Sequence, residues 1–137
     1  DQPFAMAQLG EVLIIDGQDQ EALKVLDEAI ELVERTQERL YEVELYRMKG
    51  QLLASSDQIR DEAAAEKNLK KSIKIAKTQR VKIWELRAAT NLADLLHRQG
   101  KTDRARKLLE PIHGWFTEGF DTHDLKDAET LLASLRK

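Results

Sequence analysis

An all-α fold of stacked helical hairpins is predicted by three features of the sequence: an internal repeat of about 40 residues, apolar residues at helical spacing, and glycines placed where helices stop. The repeat is the strongest of the three. Leu9-Gly10 leads through Gly17 to Ala22, Leu26 and Ala29, and Leu92-Ala93 leads through Gly100 to Ala105, Leu109 and Ile112. In both stretches the small residue of the first helix stands 12 before the alanine of the second, and the turn glycine stands 5 before it. A middle copy runs from Gly50 to Ala65, Leu69 and Ser72 with a spacing of 15, which places three extra residues around Ser55 to Arg60. The second-helix alanines follow one another at 43 and 40 residues, long enough for extended helices and too short to add strands between them.

Taken in order, the pattern predicts helices near residues 3–16, 19–36, 38–55, 61–78, 81–99, 102–113 and 122–136. Leu23, Leu26, Ile30 and Val33 form one buried stripe; Leu69, Ile73 and Ala76 form another; Leu86, Ala89, Leu92, Ala93 and Leu96 form a third. Gly17 and Gly100 end the first and fifth helices, because glycine enters the left-handed cap conformation without steric cost. Asp19 and Thr102, two residues later, are expected to accept the first unpaired N–H groups of the next helix, as Thr122 or Asp121 does for the last. Pro111 removes a helical hydrogen bond and should kink or end the sixth helix nearby. Gly10, Gly50 and Ala93, facing Ala22, Ala65 and Ala105, let the two helices of each hairpin approach closely.

Composition narrows the functional classes. Apolar residues at 42% and charged residues at 34% suit amphipathic helices. The 22 basic and 25 acidic residues alternate along the chain, so no nucleic-acid stripe stands out. The absence of cysteine removes disulfides, zinc-thiolate sites and thiol chemistry. The longest strongly apolar run, Val12 to Ile15, is far below the roughly 20 residues a membrane span requires, and a cytoplasmic setting is expected. The opening Asp1-Gln2-Pro3 has no methionine, and the chain is read as one helical-repeat domain, residues 1–137, of a longer polypeptide.

Residues that could carry chemistry do not converge. His97, His113 and His123 lie 16 and 10 apart, without the companion ligands of a metal site. Asp16-Gly17-Gln18-Asp19 lacks the alternating oxygens and distal glutamate of a calcium loop. No phosphate-binding glycine loop or Ser/His/Asp arrangement is present, so neither catalysis nor a cofactor is expected. Glu28, Glu31 and Glu34 are expected to face Lys24, Arg35 and their neighbours on a solvated helix surface. Trp115, Phe116 and Phe120 either anchor a partner or, as favoured here, fold back under Leu125, Ala128, Leu131 and Leu132 to seal the end of the stack.

The glycine, alanine and leucine positions resemble the tetratricopeptide repeat (TPR), in copies near residues 3–37, 38–79 and 81–117, with a capping helix near 122–136. The middle copy departs from the motif, with Lys49 where leucine is usual. The resemblance implies a right-handed α-α superhelix whose first helices line a concave groove. Gln8, Glu11, Arg47, Gln51, Arg87, Asn91 and Asp94 are the groove residues it implies, and a protein or peptide is the ligand it implies. Ala7 and Glu11 stand where relatives that clamp acidic chaperone tails use lysine and asparagine, which argues against that ligand. Glu85-Leu86-Arg87-Ala88-Ala89, Leu92-Ala93-Asp94-Leu95, Arg98-Gln99-Gly100-Lys101, Gly114 through Thr122, Asp124-Leu125-Lys126 and Ala128 further resemble the TPR tail of bacterial multidomain signalling proteins. Those proteins join such a tail to a class III adenylate or guanylate cyclase, a DNA-binding or kinase domain, and a P-loop ATPase module. The resemblance implies a regulatory scaffold whose partner is a peptide or another domain of its own polypeptide. Its alternatives are a tail that tunes a nucleotidyl cyclase and a structural, oligomerising segment.

Overall fold

A computed structural model of the chain describes residues 2–36, 39 and 41–136, and among these seven helices and no strand are formed. They are α1 (Gln2–Ile15), α2 (Asp19–Thr36), α3 (Glu42–Ser55), α4 (Glu62–Gln79), α5 (Lys82–Arg98), α6 (Thr102–Gly114) and α7 (His123–Leu135). The predicted start of the third helix near 38 is too early. Arg39 and Tyr41 are not helical and the helix begins at Glu42, while residues 37, 38 and 40 lie outside the described set.

Neighbouring helices pair as α1 with α2, α3 with α4 and α5 with α6, and α7 lies across α5 and α6. Successive odd-numbered helices also touch, α1 to α3, α3 to α5 and α5 to α7. Among the described residues the backbones of α2, α4 and α6 stay apart, bridged only by long side chains such as Lys71 to Glu34 and Arg104 to Glu66, both at 3.6 Å. Close approach in one layer and separation in the other bends the stack toward the odd-numbered helices. An all-α array of TPR-like hairpins results.

The small residues act as the repeat requires. Ala22, Ala65, Ala93 and Ala105 are fully buried. A Cβ on Gly50 would lie 2.7 Å from Leu69 Cγ and 3.1 Å from the Ala65 carbonyl oxygen, and one on Gly10 would lie 2.9 Å from Leu26 Cδ2. Ridges of α4 and α2 thus sit directly against bare backbone of α3 and α1. Leu26, Ala29 and Val33 of α2 share a buried cluster with Leu45, Tyr46 and Leu52 of α3, and a second cluster runs from Leu53 through α4, α5 and α6 to Leu135. Each hairpin buries its apolar stripe only with a neighbour's help, the physical condition of a repeat array.

The turns differ as the spacing predicts. In the first and third hairpins Gly17 and Gly100 take φ of 75° and 81°. The cap is closed identically, by Gln18 N–H on Leu13 O and Lys101 N–H on Leu96 O, both at 2.8 Å. The middle hairpin has a longer connection, residues 56–61, and this holds the insertion. Ser56 is buried there, with its Oγ accepting the N–H groups of Gln58 and Ile59 at 3.0 and 3.1 Å and donating to Asp19 at 2.7 Å. Gln58 Nε2 donates to Gly17 O at 3.0 Å, so the extra residues brace the second hairpin against the turn of the first.

Several local expectations are corrected. Asp19 and Thr102 are the first residues of their helices and not their caps. The Asp19 carboxylate is occupied by Ser56, and Thr102 Oγ1 lies 3.2 Å from His97 Nδ1. Thr122 does hold the N-cap position of α7, but its side chain makes no capping bond. A side-chain cap does form at the start of α4, where Asp61 accepts Ala64 N–H at 3.0 Å. Pro111 does sit near a helix end, as expected: it is exposed and α6 stops three residues on, at Gly114, the one lost bond on the solvent side being tolerated by a helix packed on its other face.

Candidate functional site

The face formed by the odd-numbered helices carries the predicted groove residues, and the structure divides them into two groups. Arg47, Arg87 and Asn91 are joined in one hydrogen-bonded chain across three helices. Arg47 Nη1 donates to Asn91 Oδ1 at 3.0 Å, while its Nε and Nη2 reach Glu44 at 2.9 and 3.3 Å. Arg87 Nη1 donates to the same Glu44 at 2.6 Å, and its Nε and Nη2 grip Asp124 of α7 at 3.0 and 2.9 Å. Asp124, ahead of Glu44, raises the already high pKa of the Arg87 guanidinium, so its charge is fixed at every working pH. The two arginines hold α3, α5 and α7 side by side.

The second group stands outside that chain of bonds. Gln8 and Glu11 on α1 are exposed. Asp94 on α5 is partly exposed and pairs with Arg98 one turn on at 3.2 Å. Gln51 on α3 is half-buried, and its Oε1 has no donor. A buried acceptor without a partner costs about 1–3 kcal/mol. These four residues offer two carboxylates and two amides.

A second polar assembly, missed from the sequence, ties the other layer together. Glu34 was expected to pair along its own helix. It instead accepts the Tyr46 hydroxyl of α3 and lies 3.6 Å from Lys71 of α4, while Lys71 Nζ sits 4.6 Å from the Tyr46 ring centroid. Glu28 and Glu31 are exposed, as a solvated face requires. The Tyr46 hydroxyl, then Lys71, hold the Glu34 carboxyl below its usual range against the cost of burial. Burial and Glu34 together push the Tyr46 phenol up, and the Tyr46 hydroxyl in turn raises Lys71. Only the fold could show this, because the three residues are 12 and 25 positions apart.

Lys67, Lys70, Lys71 and Lys74 of α4 line a groove of about 670 Å³ with Ile75 and Arg39. Alternating signs along the chain hide this cluster, since helical spacing brings the lysines to one side. Two are neutralised, Lys70 by Glu66 at 2.7 Å and Lys71 by Glu34.

Near the end of the stack only Phe116 packs on the core. Trp115 and Phe120 remain 58% and 43% exposed, so the expected seal is made by one aromatic of the three. Lys82 lies 5.4 Å from the Trp115 ring, and Trp115 and Phe116 meet edge to face at 5.2 Å. The histidines remain dispersed, but His123 does have a carboxylate one turn on, Asp127 at 3.1 Å. Among the described residues no three His, Cys, Asp or Glu side chains converge as metal ligands would, and no helix is long and apolar enough to cross a membrane.

The fold and this face define a TPR-like helical-repeat domain. The tetratricopeptide repeat family model matches residues 86–111, which cover most of α5 and the larger part of α6. No curated protein and no solved structure matches the chain.

Proposed function

We propose that this domain is an interaction scaffold whose odd-numbered helices receive a peptide or protein segment along their common face. The observation that supports the reading is the layering: α1, α3, α5 and α7 touch in series while α2, α4 and α6 stand apart from one another, an arrangement that favours curvature toward the odd-numbered helices. TPR repeats commonly mediate protein–protein association, and the match at residues 86–111 supports that role. Gln8, Glu11, Gln51 and Asp94 are the contact residues in this proposal. Arg47, Arg87 and Asn91 serve the same face by positioning its helices. On the resemblance of residues 85–128, the parent is a bacterial signalling protein with a nucleotidyl cyclase or P-loop ATPase part, and the ligand is a peptide or domain of that polypeptide.

Site-specific photocrosslinking tests the reading. Crosslinkers at Gln8, Glu11 and Asp94 should capture one discrete protein or intramolecular segment, and crosslinkers at the outward Glu28 and Lys74 should not. Equal capture from both sides, or capture only from Glu28 and Lys74, removes the proposal.

A further inference from the structure

One stripe recurs on every odd-numbered helix, in register with Gly10, Gly50 and Ala93. On α3 it is Glu42, Leu45, Lys49 and Leu52; on α5 it is Glu85, Ala88, Leu92 and Leu95; on α7 it is Leu125, Ala128, Leu132 and Leu135. All are buried except Lys49, whose ammonium reaches Asp27 of α2 at 2.7 Å. The cover comes from the even-numbered helix immediately before. Leu45 and Leu52 cluster with Leu26 and Val33 of α2, Ala88 and Leu92 with Leu69 and Ile73 of α4, and Leu125 and Leu132 with Leu109 and Ile112 of α6.

The same stripe on α1 is Gln2, Ala5, Leu9 and Val12, and all four are exposed. Leu9 is 49% exposed and Val12 60%, and Ile15 at 80% extends the apolar edge. Isolated apolar residues on a surface need no explanation, but a contiguous stripe at positions covered on the three other helices does. We infer that this face of α1 is the docking site for one further amphipathic helix of the α2 type, placed ahead of α1 as α2 is ahead of α3. Leu9 stands where α3 has Lys49, so the incoming helix carries a small or apolar side chain where α2 carries Asp27. The covering helix precedes its target in the chain in all three observed cases, which favours this occupant over a second copy of the protein. The inference is independent of the groove, and its failure leaves that proposal intact.

The test is a tandem protein in which residues 1–40, with Asp27→Ala, are repeated ahead of the full chain. The added α2 then meets the original α1 over the spacing at which α2 meets α3. A docked repeat adds a neighbour term, so the tandem protein should melt in one transition about 5 °C above the 137-residue chain. Val12→Lys in the original α1 should cancel most of that gain while moving the 137-residue chain by no more than about 1 °C. The inference fails if the added hairpin melts separately or stays unfolded, or if Val12→Lys has the same effect in both proteins. It also fails if the 137-residue chain sediments as a dimer that Val12→Lys dissociates, which would assign the face to a second copy.

Discussion

Arg87 on α5 holds Asp124 on α7 through two parallel bonds of 3.0 and 2.9 Å while its third nitrogen reaches Glu44 on α3 at 2.6 Å. One side chain therefore locks three of the odd-numbered helices, and the planar guanidinium fork is what permits it. Arg87→Met should cost about 1–2 kcal/mol, allowing for partial solvent screening, and Arg87→Lys should recover little of it. Hydrogen exchange is the informative measurement, because α7 amides should lose protection before those of α4. Uniform loss across the chain would show that the contact does not anchor α7.

The two helical glycines should respond differently to the same change. An alanine at Gly50 meets Leu69 Cγ and the Ala65 backbone, which cannot retreat without moving α4, whereas an alanine at Gly10 meets the mobile end of Leu26. Overpacking of this kind costs about 1–3 kcal/mol. Gly50→Ala should sit at the upper end and Gly10→Ala near or below the lower end, as read by urea denaturation. The reverse order would contradict the packing described for α3 on α4.

Ser56→Ala leaves two loop N–H groups and the Asp19 carboxylate without their partner. The expected loss is about 1–3 kcal/mol. Limited proteolysis should open first within residues 56–61, with the α1–α2 hairpin loosened next because the Ser56 bond to Asp19 is gone and the loop that carries Gln58 to Gly17 has lost its two Ser56 contacts.

Glu34 links stability to acid. Its folded pKa lies below the ordinary 4.5, so folding favours the carboxylate, and the stability it adds is present above pH 4.5 and lost as pH falls through the depressed value. Glu34→Gln should flatten the decline in melting temperature below pH 4.5 and change little between pH 6 and 8 in its slope. An unchanged acid limb would show that the Tyr46 and Lys71 contacts add nothing in solution.

Much of this architecture was written along the chain. Gly17 and Gly100 give the turns, the spacing of Gly10, Gly50 and Ala93 gives the repeat, and the three extra residues before Ala65 give the longer middle connection. These features are local: a cap, a helical period and a close approach each depend on side chains within a turn or two. Even so, Arg80 takes the left-handed cap of α4 at φ 61° without being glycine, a role that nothing in its residue type announces.

The site was less legible for a physical reason. Position within the repeat grouped Arg47, Arg87 and Asn91 together, but whether a charged group faces solvent or a neighbour depends on helices 37 to 44 residues distant. Asp124 and Glu44 claim both arginines, Tyr46 draws Glu34 away from its own helix, and Ser56 takes Asp19 from its capping duty. The sequence by itself determined the helices, their order and the residues that let them touch, because steric periodicity is a short-range property. Only the packed tertiary structure decided which polar groups are spent on holding the stack and which face outward, since long-range pairing is fixed once helices distant in the chain become neighbours.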